Sequence, residues 1–172
     1  AEKKDKKIQV GHIERFNPAY KKFVQKKHNP LFIECHRLAP FNVRGSDVPV
    51  VLDLMIHDLD LVLDLVQKNI VDIHASGASI VSNHVDLANA RILFEGGITA
   101  NLTASRISTK QMRQMRVFEK NCYSLIDFDK LSVNVVKISP DKTFTSSQGG
   151  VQQGNASILY STGKTQTPGT IV

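Results

Sequence analysis

Twelve of the 17 residues between positions 50 and 66 are aliphatic or methionine, and the five polar ones are Asp53, His57, Asp58, Asp60 and Asp64. A run of that length and composition, preceded by Pro49, reads as a helix that the rest of the chain must cover, with Ser46 or Asp47 as its cap. At about 100° per residue, Asp53, His57, Asp60 and Asp64 fall within an arc of about 60°, and Asp58 lies well off it. An ordinary surface helix exposes a wider polar face that mixes lysine with glutamate. This one has neither lysine nor arginine. It reads as a mostly buried helix whose thin acidic stripe faces a crevice.

The remaining segments supply the cover. Residues 8–13 read as a short strand. Asn17-Pro18 opens a helix of about ten residues, because Asn caps free N–H groups and Pro suits the first turn. Residues 31–38 form the next strand, and a loop with Pro40, Gly45 and Pro49 leads to the apolar helix. From Asp72 onward β-branched residues and short turns dominate. Residues 85–94 and 98–106 flank Glu95-Gly96-Gly97, a hairpin turn that glycine's tolerance of positive φ permits. Ala90, Ile92 and Phe94 share one face of that hairpin with Ala100, Leu102 and Ala104; Asn89, Arg91, Thr99, Asn101, Thr103 and Ser105 share the other. Further strands are expected near 116–119, 124–129, 132–138 and 156–160. Helices early and strands late imply an α+β fold: a large, mostly antiparallel sheet with helices packed on one face and the other face free for dimerisation.

Composition excludes several classes. The chain has 172 residues, 41% hydrophobic and 22% charged, which suits one folded core and not a disordered chain. The longest unbroken apolar runs are three residues, so no membrane-spanning helix is expected. No signal peptide opens the chain, and two well-separated cysteines, Cys35 and Cys122, fit a reducing cytoplasm as small buried hydrophobes. The net charge of +6 is unevenly placed: residues 1–28 hold nine basic and three acidic residues, and residues 29–172 hold 13 of each. A nucleic-acid partner working through Lys3 to Lys27 would need stacking aromatics on that basic face. Phe16, Tyr20 and Phe23 are spaced for a helix core instead, so neither nucleic acid nor membrane is expected as a partner.

Asp53 and His57 lie one helical turn apart, close enough to touch. A carboxylate beside an imidazole raises its pKa and orients it, which are features of a general acid/base. The same spacing also fits a solvated stripe in which His57 is incidental, or a site for a divalent cation. No second histidine or cysteine joins the stripe, and no metal is expected. His12, His28, His36, His74 and His84 show no partner spacing and read as structural or exposed. Arg106 is expected to close the sheet edge or pair with an acid.

The run at 45–60 (GSDVPVVLDLMIHDLD) resembles the Gfo/Idh/MocA family of NAD(P)-dependent sugar and polyol oxidoreductases, which carries Asp-x-x-x-His-x-x-Asp on the first long helix of its second domain. Asp53, His57 and Asp60 match that pattern. Residues 10–19 (VGHIERFNPA) resemble the passage from the nucleotide domain into the second domain, and residues 88–106 (ANARILFEGGITANLTASR) resemble the family's central strands. The resemblance spans about residues 8–138. It implies His57 as the catalytic acid/base and Asp53 as its partner or a ligand for a substrate hydroxyl. It also implies Arg15, Asn17, Arg37, Arg44 and Asp60 as substrate-side residues, with helix capping as the plainer role for Asn17. No Gly-x-Gly-x-x-Gly follows any strand, the family's Glu-Lys-Pro is missing, and no closing helix is evident after the last strands. The expectation is a C-terminal substrate and dimerisation domain trimmed at both ends. Residues 1–16 would be the end of a missing Rossmann domain and its crossover, 17–139 the α+β domain, and 140–172 a Gly/Ser/Thr/Gln-rich tail. The isolated chain is expected to be inactive and to bind no cofactor; its longer parent would use NAD or NADP on a sugar, polyol or nucleotide-sugar. A non-catalytic, sheet-mediated dimerisation module is the alternative.

Overall fold

The computed structural model describes residues 7, 9–42, 47–138 and 156–161, the last segment and residue 138 by their backbone alone. A 3-10 turn, Ile13–Phe16, leads into α1, Pro18–Phe23, and strand β1, Phe32–Leu38. A π-helical turn, Val51–Met55, runs directly into α2, Ile56–Val66. Seven strands follow: β2 Ile70–Ala78, β3 Leu87–Phe94, β4 Thr99–Ser105, β5 Met112–Glu119, β6 Cys122–Asp127, β7 Ser132–Ile138 and β8 Ala156–Ser161.

The strands form one sheet in the order β2-β3-β4-β1-β5-β6-β7-β8. Every neighbouring pair is antiparallel except β1 and β4, which run parallel at its centre. Alternation decides which face is covered. Ile33 and Cys35 of β1, Ala90, Ile92 and Phe94 of β3, Ala100, Leu102 and Ala104 of β4 and Met115 and Val117 of β5 are buried in one core with Tyr20, Phe23, Leu61 and Val62 from the helices. α2 packs over β1 and β4 and α1 over β6 and β7, so both helices cover this face. Thr99 and Ser105, assigned to the polar face from their alternation, are buried at the ends of β4. The opposite face carries Glu34 paired with Arg116 at 3.2 Å, Asn89 bonded to Thr103 at 2.9 Å, and an aromatic row of Phe32, Phe118 and Tyr123. The β3–β4 hairpin turns at Gly96 and Gly97, with φ of 83° and 81°.

Three local expectations change. Residues 9–12 form no strand, because His12 sits in the left-handed region at φ 36° and breaks the extended run before the 3-10 turn; Ile8 lies outside the described residues. α1 starts as expected, with Asn17 Oδ1 accepting the Ala19 N–H at 3.0 Å and Pro18 in the first turn, but spans six residues. His28 ends it early: its ring stacks on Phe23 with centroids 3.8 Å apart, and its Nε2 satisfies the Phe23 carbonyl at 2.8 Å. The long helix does not begin as an ideal α-helix. The Ile56 N–H bonds the Val51 carbonyl five residues back, so the first turn is wider than the α-helical spacing assumes.

The entry to that helix is held from outside it. The Val50 N–H donates to the Val85 carbonyl at 2.8 Å. Arg106 donates to the Val48 carbonyl and lies 3.9 Å from Asp86, as an acid-paired residue at the end of β4. The Asp86 carboxylate accepts the N–H groups of Ile80, Val81 and Ser82 and the Ser82 hydroxyl, which hold it well below the usual carboxylate range.

Candidate active site

Three elements converge at the end of β1 where Leu38 leaves the sheet: the 3-10 turn, the inward side of β1 and the first turns of α2. Arg37 follows Ile33 and Cys35 on the covered face of β1, so its guanidinium enters the interior and stands 2% exposed. A charge there needs a partner. Asp58 of α2 supplies it, accepting from Arg37 Nε at 3.1 Å and Nη2 at 2.8 Å, and Glu14 accepts from Nη1 at 3.2 Å. Burial works against the Arg37 charge, but the two carboxylates outweigh it and raise its pKa. Burial in turn pushes the Asp58 carboxyl up, against the pull of Arg37.

A second ion pair lies along the acidic stripe. Arg15 Nε and Nη2 grip both oxygens of Asp60 at 2.6 and 2.8 Å, and its Nη1 reaches Asp64 at 2.8 Å. Hydrogen bonding from Arg15 holds the Asp60 carboxyl below its ordinary value. Tyr20 completes the group, donating to Asp64 at 2.9 Å; burial and that hydrogen bond push its hydroxyl far up, so it stays protonated. Asn17 caps α1 and donates to the Phe128 carbonyl at 3.2 Å, which ties the entry of the helix to the end of β6.

His57 is half-buried and lies near members of both pairs, and among the described residues its buried Nδ1 has no hydrogen-bond partner. Its pKa is lowered from 6.5, first by burial and then by the Arg37 charge, with Glu14 and Asp58 opposing. The direction is opposite to the one expected from an Asp53–His57 pair. Asp53 falls inside the π-helical turn, and no hydrogen bond joins it to the Nδ1 of His57. The result is a neutral imidazole flanked by fixed charges. Among the described residues, no group of three or more His, Cys, Asp or Glu is arranged to hold a metal ion. No helix there is long and apolar enough to cross a membrane.

Of the residues read from the sequence, the structure brings Arg15, Asp60, Arg37 and His57 into one cluster, with Asn17 at its edge and Asp53 one turn away. Arg44 lies outside the described residues. Sequence reasoning gave no site role to Glu14, Asp58 or Tyr20, and read Asp64 only as part of the acidic stripe. Asp58 carried a usable signal: an acid on the apolar side of a buried helix requires a buried cation, and Arg37 occupies an inward position of a strand.

Residues 39–121 match the family model described as GFO/IDH/MocA C-terminal domain. A UDP-N-acetylglucosamine 3-dehydrogenase of Acidithiobacillus ferrooxidans is 41% identical over 122 residues, which are 70% of this chain and 39% of that protein. A solved structure of that dehydrogenase superposes with a TM-score of 0.73 at 37% identity, over 80% of this chain and 46% of the other. Levoglucosan dehydrogenase, solved in complex with NADH, superposes with a TM-score of 0.68 at 15% identity, over 91% of this chain and 48% of its own. Likeness at that identity shows the fold alone. The chain spans less than half the length of each of these relatives. An open, mostly antiparallel sheet with helices on one face and a histidine-bearing helix over its centre defines an α+β domain, similar to the matching part of the UDP-N-acetylglucosamine 3-dehydrogenase structure. The match to the family's C-terminal-domain model over residues 39–121 and the helix-covered, mostly antiparallel sheet agree with the fold that the sequence resemblance implies.

Proposed function

We propose that the chain is the substrate-side domain of an NAD(P)-dependent oxidoreductase that oxidises a secondary alcohol of a sugar, polyol or nucleotide-sugar. The relative that is a UDP-N-acetylglucosamine 3-dehydrogenase favours a nucleotide-sugar within that class. The observation that carries the reading is His57, a neutral imidazole near members of two ion pairs, with a ring nitrogen that has no partner among the described residues.

A neutral imidazole with a lone pair available can take a proton. In the proposed reaction the alcohol O–H proton passes to the His57 ring as the carbinol C–H leaves as hydride. The nicotinamide, when bound, supplies the hydride acceptor. Arg37, engaged by Asp58 and Glu14, positions the helix carrying His57, and burial, followed by the Arg37 charge, favours the neutral ring. Arg15 holds the acidic stripe through Asp60 and Asp64, and Asp53 would accept a hydrogen bond from a substrate hydroxyl. Without a glycine-rich phosphate turn in its sequence, this chain contributes the proton acceptor and substrate contacts, and the cofactor would be held by a separate nucleotide-binding domain.

The aromatic and polar sheet face opposite the helices supports a second, compatible role as an isologous interface between two copies. Light scattering at high protein concentration tests it: a dimer is expected, and a strict monomer removes the role. Calorimetry tests the main reading. The 172-residue chain is expected to bind no NAD(H) and to show no turnover, whereas a protein joining it to a nucleotide-binding domain should oxidise UDP-N-acetylglucosamine or a simpler sugar. Micromolar NAD(H) affinity of this chain alone would refute the division of labour.

A further inference from the structure

His12, read from the sequence as structural or exposed, stands beside the His57 cluster. Its backbone lies in the left-handed region, at φ 36° and ψ 52°. Among the described residues, four that are not glycine have positive φ. Gln67 closes α2, and Asn121 and Leu131 fall in the β5–β6 and β6–β7 turns, where the chain must reverse. His12 opens the 3-10 turn, yet its side chain makes no capping bond. Glycine would adopt this conformation without the steric cost that a Cβ brings. A strained backbone that secures no cap implicates the side chain it presents.

That side chain meets the site. Its Nδ1 lies 3.7 Å from Asp60 Oδ1, and Arg15, three residues further on, grips both oxygens of the same carboxylate. The 3.7 Å contact is an ion-pair distance and not a hydrogen bond. Asp60 therefore orients the partly exposed ring through charge and leaves its N–H and lone pair for another partner. His12 and His57 both act electrostatically on Asp60, so the two imidazoles share one carboxylate neighbour. The guanidinium groups nearby are engaged, Arg15 by Asp60 and Asp64 and Arg37 by Asp58 and Glu14. The ring offers an incoming ligand a hydrogen bond, and a sugar hydroxyl, which both donates and accepts, is the matching group.

We propose that His12 is a further substrate-contacting residue: its ring holds a second hydroxyl of the nucleotide-sugar's hexose while His57 takes the proton from the reacting one. The proposal rests on the dehydrogenase reading and adds a source of specificity to it, because a site that hydrogen-bonds a hydroxyl disfavours the analogue that lacks it.

Kinetics of a protein joining this chain to a nucleotide-binding domain test the proposal, with UDP-N-acetylglucosamine and its 4-deoxy and 6-deoxy analogues. The parent should favour UDP-N-acetylglucosamine over at least one analogue by about tenfold in kcat/KM, the effect of one hydrogen bond. His12→Gly suits the left-handed backbone and deletes the ring. It should lower kcat/KM for UDP-N-acetylglucosamine about tenfold, mainly through KM, and abolish that preference. Its melting temperature should stay near the parent's, because relief of strain offsets the added freedom of the unfolded chain. His12→Asn tolerates the same backbone and keeps a donor and an acceptor, so it should regain part of the preference. In the 172-residue chain alone, His57 should titrate higher in His12→Gly than in the parent, because the His12 charge opposes its protonation. Unchanged kinetics and analogue preference in His12→Gly, whatever its melting temperature, or a His57 titration that ignores the substitution, would overturn the proposal and leave the dehydrogenase reading in place. A joined protein inactive on UDP-N-acetylglucosamine would also overturn it, and inactivity on simpler sugars as well would remove the dehydrogenase reading itself.

Discussion

Removing Arg37 should unbalance the interior more than any other single polar substitution. Its side chain and that of Asp58 are both 3% exposed, and the guanidinium also holds Glu14, whose side chain is 11% exposed. Arg37→Met keeps much of the volume but leaves two carboxylates facing each other with no cation between them. Breaking a buried pair from one side costs about 3–5 kcal/mol, because the remaining charge stays out of water. With a urea slope of about 2 kcal/mol per molar, the unfolding midpoint should fall by about 2 M. Asp58→Leu should cost less, since Glu14 still pairs with Arg37. The double variant Arg37→Met/Asp58→Leu should recover most of the loss, because a buried ion pair exchanged for packed apolar groups is close to neutral. The deficit of Arg37→Met should also shrink toward acid pH. Burial raises the Asp58 carboxyl, so the folded variant takes up a proton before the unfolded chain does and gains stability as pH falls. Urea unfolding of the three variants at neutral and mildly acidic pH measures all of this. A loss below about 1 kcal/mol in Arg37→Met, or a double variant as unstable as the sum of the singles, would refute the reasoning.

Two further outcomes follow from the same structure. The His57 ring should titrate below 6.5 by NMR, and its contribution to stability should be complete above 6.5 and lost as pH falls toward the folded value, since the unfolded chain then binds the extra proton; a folded value above 6.5 would contradict the burial and Arg37 arguments. Gly97→Ala, at φ 81° with no atom of the described residues within 4 Å of the added methyl, should cost about 1–2 kcal/mol through backbone strain; an unchanged melting temperature would show that the turn relaxes to another conformation.

The features legible in the sequence were those decided by local chemistry or strict periodicity. Asn17-Pro18 caps a helix wherever it sits, Gly96-Gly97 demands a turn, and the alternation of Ala100, Leu102 and Ala104 fixes which face of β4 is buried. The apolar run at 50–66 placed His57 in its helix, and the family resemblance at 45–60 implied its role. What escaped depended on tertiary partners. The length of α1 was set by a histidine five residues beyond Phe23, folding back on its carbonyl. The direction of the His57 pKa is set by burial and then by the Arg37 charge, neither of which helical spacing reveals. β2 reads as strand from its β-branched residues, yet nothing local showed that it forms an edge, exposed along its whole length. Glu14 and Tyr20 gained their roles through Arg37 and Asp64, more than 20 residues away in each case.

The central claim is that His57 accepts the substrate proton, and turnover of a His57→Ala variant tests it most directly. The substitution belongs in a protein carrying this domain beside its nucleotide-binding domain, assayed with a sugar or nucleotide-sugar alcohol. Loss of a positioned general base predicts a fall in kcat of about 10²–10⁴-fold with cofactor affinity retained. A variant turning over at the parent rate would contradict the account.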